Sequence, residues 1–480
     1  MVNLKGRASE YFEAIVDAHR NALRRLLAAQ MHRYLQLSRE LWVLEKTLSS
    51  RATCPLQIAQ LVARIYFTFR LEHALFGLGL GDPLALVKFF ENCQLQLGDL
   101  VRLSQTRLTR GDRERVENML LLDAHSLEVC NALLAAGVSS SGDFLWQSRL
   151  RFRHVGTDAS DVECSILTTN FMYGFEYIDY KEQLSVTPTA ERVYVTIALA
   201  LRRHVGVAIL GNDCSGKRAI HLSLARSLGQ QIVTVNCVDS HGADFLEPML
   251  AGMFACGCWG VFLHIERLVP PALSFFAQIS CKLRDSLRNG NQGAAETEAR
   301  PIVHPTLLLT FRRKISDTFI QRDLKASFRP VSVLWPDIRI ICEHFLIVAG
   351  FNGSIKLSQN IADFYHAAPI FLEACSSEIW SLGSIKRILS TLGSLRRDVN
   401  YSNLSDLDLI FRTFRDFLIP SVTEEEREEF LQLMACCFPG AQGRREMNEA
   451  LGEQVANACD DAGLWADKTF THAVLELGRE

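Results

Sequence analysis

The sequence lacks the features that mark membrane-spanning, secreted and nucleic-acid-binding chains. No apolar run reaches the roughly 20 residues that a membrane helix needs, because Arg202, Arg203 and His204 interrupt the most apolar stretch, 193–210. The first 20 residues contain no apolar segment of the kind found in a secretory signal peptide. A formal net charge of -3 creates no strong field toward nucleic acid or an acidic membrane. We therefore expect a soluble chain that binds neither.

Disulfides and structural metal sites are not expected either. The 14 cysteines are irregularly spaced along 480 residues, which favours reduced thiols in a cytoplasmic setting over a disulfide framework. Cys256, Cys258 and His264 form a C-x-C-x5-H run, but no second ligand pair follows at zinc spacing. With 48% hydrophobic and 22% charged residues, the chain can bury sizeable cores, and disorder is not expected as its main state.

Helices are predicted at both ends of the chain. Region 1–142 reads as helical up to a small-residue break, GVSSSG, at 137–142. Asp112 is expected to cap the helix that runs from it to residue 136. A 3-4-3-4 spacing predicts one helical stripe made of Tyr34, Leu37, Leu41, Leu44 and Leu48. From about residue 360 the pattern is helical again.

Between these regions, short aliphatic runs alternate with helical segments. The runs predict four buried strands, at 205–210, 231–237, 259–265 and 306–311. Nearly continuous apolar strands separated by helices are typical of a parallel α/β sheet covered on both faces.

A glycine-rich loop follows the first of these strands and opens a helix. It fits the GxxxxGK pattern of phosphate-binding loops and consists of Gly211, Asn212, Asp213, Cys214, Ser215, Gly216, Lys217 and Arg218. The glycines permit the tight backbone path that turns N–H groups toward a phosphate, and the helix directs its positive end at the anion. Lys217 would reach the β- and γ-phosphates. Arg218 stands where a Ser or Thr hydroxyl normally ligates Mg²⁺, and Asp213 adds a negative charge inside the loop.

The acidic residues that ATP hydrolysis requires do not follow. Such enzymes place a carboxylate for Mg²⁺ at the end of a later strand, often with a second one that polarises water. Here the strand at 259–264 ends in Leu263 and His264. Glu266 lies two residues further on, and only a bend in the chain would allow it to act as the catalytic carboxylate.

Several collinear motifs resemble the dynein heavy chain family. DFLWQSRLRF at 143–152 is similar to the end of the dynein linker, and the segments at 175–177, 184–188 and 191–194 resemble the entry to the first AAA+ module. The phosphate loop follows in dynein order. So do the motifs at 236–237, 257–259 and 328–331, and CFPG at 437–440 resembles the segment before the second module. The resemblance implies an α/β P-loop AAA+ module, preceded by an all-helical linker-like region and followed by helical segments.

The resemblance also implies roles for individual residues. Val186, Thr187 and Pro188 would line the adenine pocket, and Gly211, Gly216 and Lys217 would hold the phosphates of ATP or ADP. Arg329 matches an arginine that serves the site of a neighbouring module in the ring.

Other positions depart from the family pattern. Leu263 and His264 replace the Walker B Asp-Glu pair, and Phe311 replaces the sensor asparagine. The second sensor arginine aligns near Ile385, with Lys386 or Arg387 as shifted substitutes.

The resemblance implies four domains: the end of the linker (1–142), a large α/β subdomain (143–330), a small helical subdomain (331–400) and a helical lead into a second module (401–480).

Three functions remain open. The module binds nucleotide weakly or structurally without hydrolysis, or it is an active ATPase driving ciliary or flagellar movement, or it is a P-loop scaffold for a protein partner. The resemblance implies that the partners are other dynein-like modules or dynein subunits. Microtubules would be reached only indirectly, because the sequence contains no stalk. The expected location is the cytoplasm or the axoneme of a cilium or flagellum.

Overall fold

The computed structural model divides the chain into two compact units, Met1–Asp337 and Ile338–Glu480. The residues it describes are 8–44, 54–155, 161–178, 184–212, 214–290, 306–312, 322–335, 337–351, 353–372, 379–398, 401, 404–423, 425–441, 457 and 459. Asp213 of the predicted phosphate loop lies outside the described residues.

The first unit begins with helices, as predicted. They are α1 (Ala8–Gln36), α2 (Arg39–Val43), α3 (Leu56–Gly79), α4 (Ala85–Ser104) and α5 (Arg110–Ala135). Helix α3 packs against α1, α4 and α5, and its Ile58 and Leu71 are fully buried. Because α3 is apolar on most of its faces, it forms the centre of this helical layer.

The predicted stripe from Tyr34 to Leu48 is wrong. Ser38 is extended (φ -64°, ψ 157°), so α1 ends at Gln36 and α2 begins at Arg39. The break changes the direction of the side chains that follow, and Leu41 is 64% exposed. Tyr34 stacks instead on Tyr66 of α3, with ring centroids 4.5 Å apart. Leu48 lies outside the described residues.

Thr109, not Asp112, caps α5. The Thr109 backbone is extended, and its hydroxyl accepts a hydrogen bond from the Asp112 backbone N–H at 3.3 Å. Asp112 lies in the first helical turn, where its negative charge faces the positive end of the helix.

A short helix and an antiparallel sheet that the sequence does not predict connect the helices to the α/β part. The helix is α6 (Phe144–Gln147), and the strands are β1 (Arg151–Val155), β2 (Asp161–Ile166) and β3 (Thr169–Met172). In the register of the sheet, Phe152 pairs with Cys164, which pairs with Phe171, and all three side chains are buried. Trp146 packs with α3 and α5 in one hydrophobic core.

The α/β part confirms the predicted parallel sheet. In chain order its elements are α7 (Pro188–Arg202), β4 (Gly206–Gly211), α8 (Lys217–Ser227), β5 (Ile232–Asn236), α9 (Ala243–Cys256), β6 (Trp259–Leu263), α10 (Pro270–Gly290), β7 (Thr306–Arg312), α11 (Arg322–Ser327) and β8 (Phe328–Ser332). The five strands are parallel in the order β5-β6-β7-β4-β8. Ligands of such sheets bind at the carboxyl ends of the strands, where β4 meets the glycine-rich loop.

The second unit is helical and has its own core. It contains α12 (Ile338–Val348), α13 (Ser354–Phe371), α14 (Leu382–Arg397), α15 (Asp406–Leu418) and α16 (Arg427–Cys437). Phe364 is fully buried, and its ring lies within 6.3 Å, centroid to centroid, of the rings of Trp380, Phe414 and Phe430. Helices on both sides of residue 400 therefore share one core. Among the described residues of the chain, no helix combines the length and the apolarity needed to cross a membrane.

Candidate nucleotide-binding site

The glycine-rich loop connects β4 to α8, and two of its described residues have a positive φ. It leaves the carboxyl end of β4 at Gly211 and enters α8 at Lys217. Gly216 caps α8 with a positive φ of 85°, a conformation that glycine adopts without steric cost. Cys214 also has a positive φ, of 58°. The turn therefore brings the amino end of α8 to the edge of the sheet.

The Lys217 side chain is buried inside this loop. It is 7% exposed, and its Nζ donates hydrogen bonds to the carbonyls of Gly211 (2.6 Å) and Asn212 (2.7 Å). The Ser215 hydroxyl donates to the same Asn212 carbonyl at 2.9 Å. The ammonium charge is thus fixed within the loop, where it can face a bound phosphate.

Gly211 is required by the close approach of the strand end to its neighbour. A Cβ at this position would lie 2.9 Å from the Val333 carbonyl oxygen and 3.0 Å from the Ser215 hydroxyl. The Val333 N–H, just after β8, donates to the Leu210 carbonyl at 2.7 Å, which holds the two backbones together. The glycine therefore serves the fold as well as any ligand.

Three other described residues of the loop face solvent. Asn212, Cys214 and Arg218 are exposed. Arg218 is the second residue of α8, so its guanidinium adds a positive charge at the helix end that would meet a phosphate.

The strand that should carry the acidic pair ends in an apolar residue and a bend. Leu263 closes β6, and its carbonyl accepts a hydrogen bond from the Cys237 N–H at 3.0 Å. His264 then adopts a left-handed backbone (φ 54°, ψ 48°), and a short 3-10 turn, Ile265–Arg267, follows. The His264 N–H donates to the Thr310 hydroxyl of β7 at 3.1 Å. The sequence analysis did not predict that Thr310 accepts this hydrogen bond. The one signal for it in the sequence is that Thr310 is a polar residue near the end of an apolar strand.

The bend brings Glu266 beside His264. Glu266 Oε1 lies 3.4 Å from His264 Nδ1, and both side chains are about three-quarters buried. Neither carboxylate oxygen of Glu266 has a hydrogen-bond partner in the described part of the chain. Burial, with the charge of Glu266 adding to it, raises the pKa of the Cys237 thiol to about 12, so this cysteine is a neutral thiol. The structure therefore places one carboxylate near the strand end, but off the strand.

Phe311 and Arg329 differ in their surroundings. Phe311 is buried in the hydrophobic core of the sheet together with Leu309 and Phe328. A phenyl ring in that position has no group that could orient a water molecule. Arg329 lies on the edge strand β8, opposite Val207 of β4, and is exposed.

The segment predicted to line an adenine pocket opens α7. Thr187 is its N-cap, and the Thr187 hydroxyl accepts from the Ala190 N–H at 3.4 Å. Pro188 is the first helical residue and is exposed. Val186 lines a cavity of about 70 Å³ together with Glu191 and residues of α3 and α5. The hydroxyl of Thr187 is therefore used by the helix, while Val186 faces the helical layer.

The predicted second sensor lies in the other unit. Ile385 is fully buried in the core of that unit. The Arg387 guanidinium lies 5.6 Å from the centre of the Phe417 ring, a cation–π contact that holds it against α15. Lys386 is the neighbouring residue on α14.

The loop fits a phosphate better than the surroundings fit Mg²⁺. Lys217, the turn at Gly216 and the amino end of α8 are suited to an anion. Arg218 supplies no metal-binding oxygen, and neither do Leu263 or His264 at the strand end. Among the described residues, no group of three or more His, Cys, Asp or Glu side chains is arranged to hold a metal ion.

Comparison with known proteins shows which family this chain matches. Residues 173–479 match the family described as "Hydrolytic ATP binding site of dynein motor region". The chain belongs to the dynein heavy chain family. It is 27% identical over 99% of its length to the dynein alpha chain of the flagellar outer arm of Chlamydomonas reinhardtii, covering 11% of that protein. It is 25% identical to the ciliary dynein beta chain of Heliocidaris crassispina, over 98% of this chain and 10% of that one.

A human relative is similar to the same extent. Dynein axonemal heavy chain 9 of Homo sapiens is 25% identical over 92% of this chain, which covers 10% of that protein. The chain thus spans about a tenth of the length of these relatives. The matches confirm the resemblance that the motifs gave and the α/β AAA+ assignment.

Proposed function

We propose that this region is a nucleotide-binding AAA+ module of a dynein-type motor assembly that holds ATP or ADP weakly, as a structural ligand, without hydrolysing it. One observation carries the proposal: β6 ends in Leu263 and His264 instead of two carboxylates. Hydrolysis needs a carboxylate to hold Mg²⁺ and a group that positions the attacking water. The buried ring of Phe311 supplies no such group at the sensor position.

Binding without hydrolysis is supported by what the loop retains. Lys217 and the N–H groups at the start of α8 can interact with phosphates, and Arg218 offers a second positive charge in place of the metal. A ligand that binds only the folded state stabilises it by about 2.7 kcal/mol at a hundred times its Kd. In this role the nucleotide would fix the position of α8 against the sheet.

An active ATPase is the second candidate, and one observation favours it. The left-handed backbone at His264 turns the chain, and Glu266 is left with two carboxylate oxygens that have no hydrogen-bond partner among the described residues. Such a carboxylate could accept a proton from water, with His264 as its neighbour at 3.4 Å.

Calorimetry of ATP binding with and without Mg²⁺, followed by phosphate-release kinetics, tests the proposal. We expect binding that survives chelation of Mg²⁺, is weakened by Lys217→Ala, and is accompanied by no phosphate release above background. Turnover that is abolished by both Lys217→Ala and Glu266→Gln would establish the ATPase instead. Absence of binding at millimolar ATP would favour a P-loop scaffold for a protein partner.

The relatives guide a proposal for the cellular setting. Their names refer to the flagellar outer arm, to cilia and to axonemal heavy chains. We infer that this chain also works in an axonemal dynein complex, with other modules and subunits as its partners, and that microtubules are contacted by other parts of the assembly. Arg329, exposed on the edge strand, would reach the site of a neighbouring module.

Within the proposed module, the domain limits remain those given by the motifs. Residues 1–142 form the end of the linker and 143–330 the large subdomain. Residues 331–400 form the small subdomain and 401–480 the lead into the next module. In the adenine pocket we retain Val186, Thr187 and Pro188 as the segment that would approach the nucleotide, with Thr187 contributing its backbone, because its hydroxyl caps α7.

A further inference from the structure

A second cavity lies in the helical layer of the first unit, among residues of α1 to α5 that the nucleotide site does not use. Its volume is about 250 Å³. One part of its wall is aromatic, formed by Tyr34, Phe67 and Phe89, and another part carries Arg39, Arg70 and Asp123. Pockets that bind small molecules combine an apolar wall with a few fixed polar groups in this way.

Arg39 is the most deeply buried charged group of this wall. It is 8% exposed, and its guanidinium pairs with the Asp123 carboxylate, with Nε 3.2 Å from Oδ2. The same guanidinium lies 5.6 Å from the centre of the Tyr34 ring and 5.2 Å from that of Trp42. Nη1 is buried and has no hydrogen-bond partner in the described part of the chain. Because this atom has no accessible surface, Arg39 acts on a ligand in the cavity through its charge and not through a direct hydrogen bond from Nη1.

Arg70 adds a second guanidinium. It is half-buried, and its Cζ lies 5.4 Å from the centre of the Tyr34 ring and 5.9 Å from that of Tyr66. Within the described residues no carboxylate forms an ion pair with it. The wall therefore contains two guanidinium groups and one carboxylate, which leaves a net positive charge.

Burial, the largest single influence, lowers the pKa of Arg39, but Asp123 together with Tyr34 and Cys93 raises it overall, so the guanidinium stays charged. Two charged guanidinium groups beside one carboxylate select an anionic ligand over a neutral one.

We propose that this cavity binds a small aromatic carboxylate. Its carboxylate would accept hydrogen bonds from Arg70, with the charge of Arg39 adding to the attraction, and its ring would pack against Phe67 and Phe89. A volume of about 250 Å³ lies below the range of pockets for drug-sized ligands, which suits a ligand with a single ring and excludes a nucleotide. The inference is independent of the function proposed for the phosphate loop.

Saturation-transfer NMR and calorimetric titration of the full chain with benzoate test the proposal, with benzamide as the neutral probe of the same shape. Benzoate should bind about tenfold more tightly than benzamide, because only the carboxylate forms charge-assisted hydrogen bonds. Arg70→Gln should weaken benzoate binding about tenfold and leave benzamide unchanged. Arg39 is not used as the test variant, since removing it leaves Asp123 buried without its partner.

Two further variants locate the binding. Ala63→Met places a larger side chain in the cavity wall and should abolish binding of both probes. Arg107→Gln removes an exposed arginine that does not line the cavity and should change nothing. Equal affinity for the two probes, benzoate binding that survives both Arg70→Gln and Ala63→Met, or no saturable binding of benzoate to the wild-type chain would each overturn the proposal.

Discussion

His221 makes the stability of the phosphate-loop helix dependent on pH. It lies in α8, one turn after Lys217, and is completely buried. Burial lowers the pKa of its imidazole from 6.5 to about 4, although the Leu309 backbone acts in the opposite direction. The ring is therefore neutral in the folded protein over a range where the unfolded chain already binds a proton.

The sign and the size of the effect follow from these two values. Above pH 6.5 both states are neutral, and the group contributes nothing to stability. Between pH 6.5 and pH 4 only the unfolded state is protonated, so stability falls as the pH falls. At pH 5 the loss is about 2 kcal/mol, at 1.36 kcal/mol for each pH unit below the unfolded pKa, and below pH 4 it levels off at about 3 kcal/mol.

Amide hydrogen exchange of a peptide covering Lys217–Ser227 measures the local opening free energy at pH 7 and pH 5, after correction for the intrinsic exchange rates. We expect the wild-type chain to lose about 2 kcal/mol more than a His221→Leu variant over this interval. Other titrating groups, including the buried His344, are present in both proteins and cancel in the comparison. The same loss in both proteins would refute the assignment to His221.

Three further predictions test packing and capping. Gly211→Ala should destabilise the first unit by about 1–3 kcal/mol in urea denaturation, because the new Cβ would lie 2.9 Å from the Val333 carbonyl. Gly252→Ala, on an exposed turn of α9 with no atom within 4 Å, is the matched control and should stabilise by about 0.5–1 kcal/mol. Phe364→Ala should cost the second unit about 3–5 kcal/mol by calorimetry, and a much smaller loss would mean that its aromatic core collapses around the cavity. Thr109→Ala should cost about 1 kcal/mol through the lost cap of α5, and an unchanged melting temperature would contradict the capping geometry.

The elements that the sequence predicted well have a strong local signal. The strands β4 to β7 are short aliphatic runs with helices between them. Because a parallel strand buried on both faces is apolar along its whole length, such a run is enough to predict it. The edge strand β8 was not predicted, since its sequence FRPVS contains exposed Arg329 and Pro330 and lacks an apolar pattern. The antiparallel sheet was missed for the same reason: DVECSI alternates only weakly, and its pairing with β1 depends on contacts between segments.

The sequence predicted which residues belong to the candidate site, but it did not predict where their side chains lie. The motif identified the loop, and the structure places the Lys217 ammonium on the carbonyls of Gly211 and Asn212. The position of Glu266 depended on whether the chain bends after β6. The left-handed conformation of His264 decides that question, and no residue type in the segment LHIE signals it, because histidine adopts a positive φ only occasionally.

The retained residues of the loop are those that the fold itself requires. Gly211 is needed for the approach of Val333, and Lys217 satisfies two loop carbonyls, so both have a structural role even when no nucleotide is bound. In the function that we propose, the departures from the family pattern at Arg218, Leu263, His264 and Phe311 fall at positions that serve metal binding and hydrolysis. At φ 54° a side chain at position 264 does not point as it would on a continued strand. We therefore expect no phosphate release above background after combined Leu263→Asp and His264→Glu substitution, because the bend would still direct the second carboxylate away from the path of a continued strand.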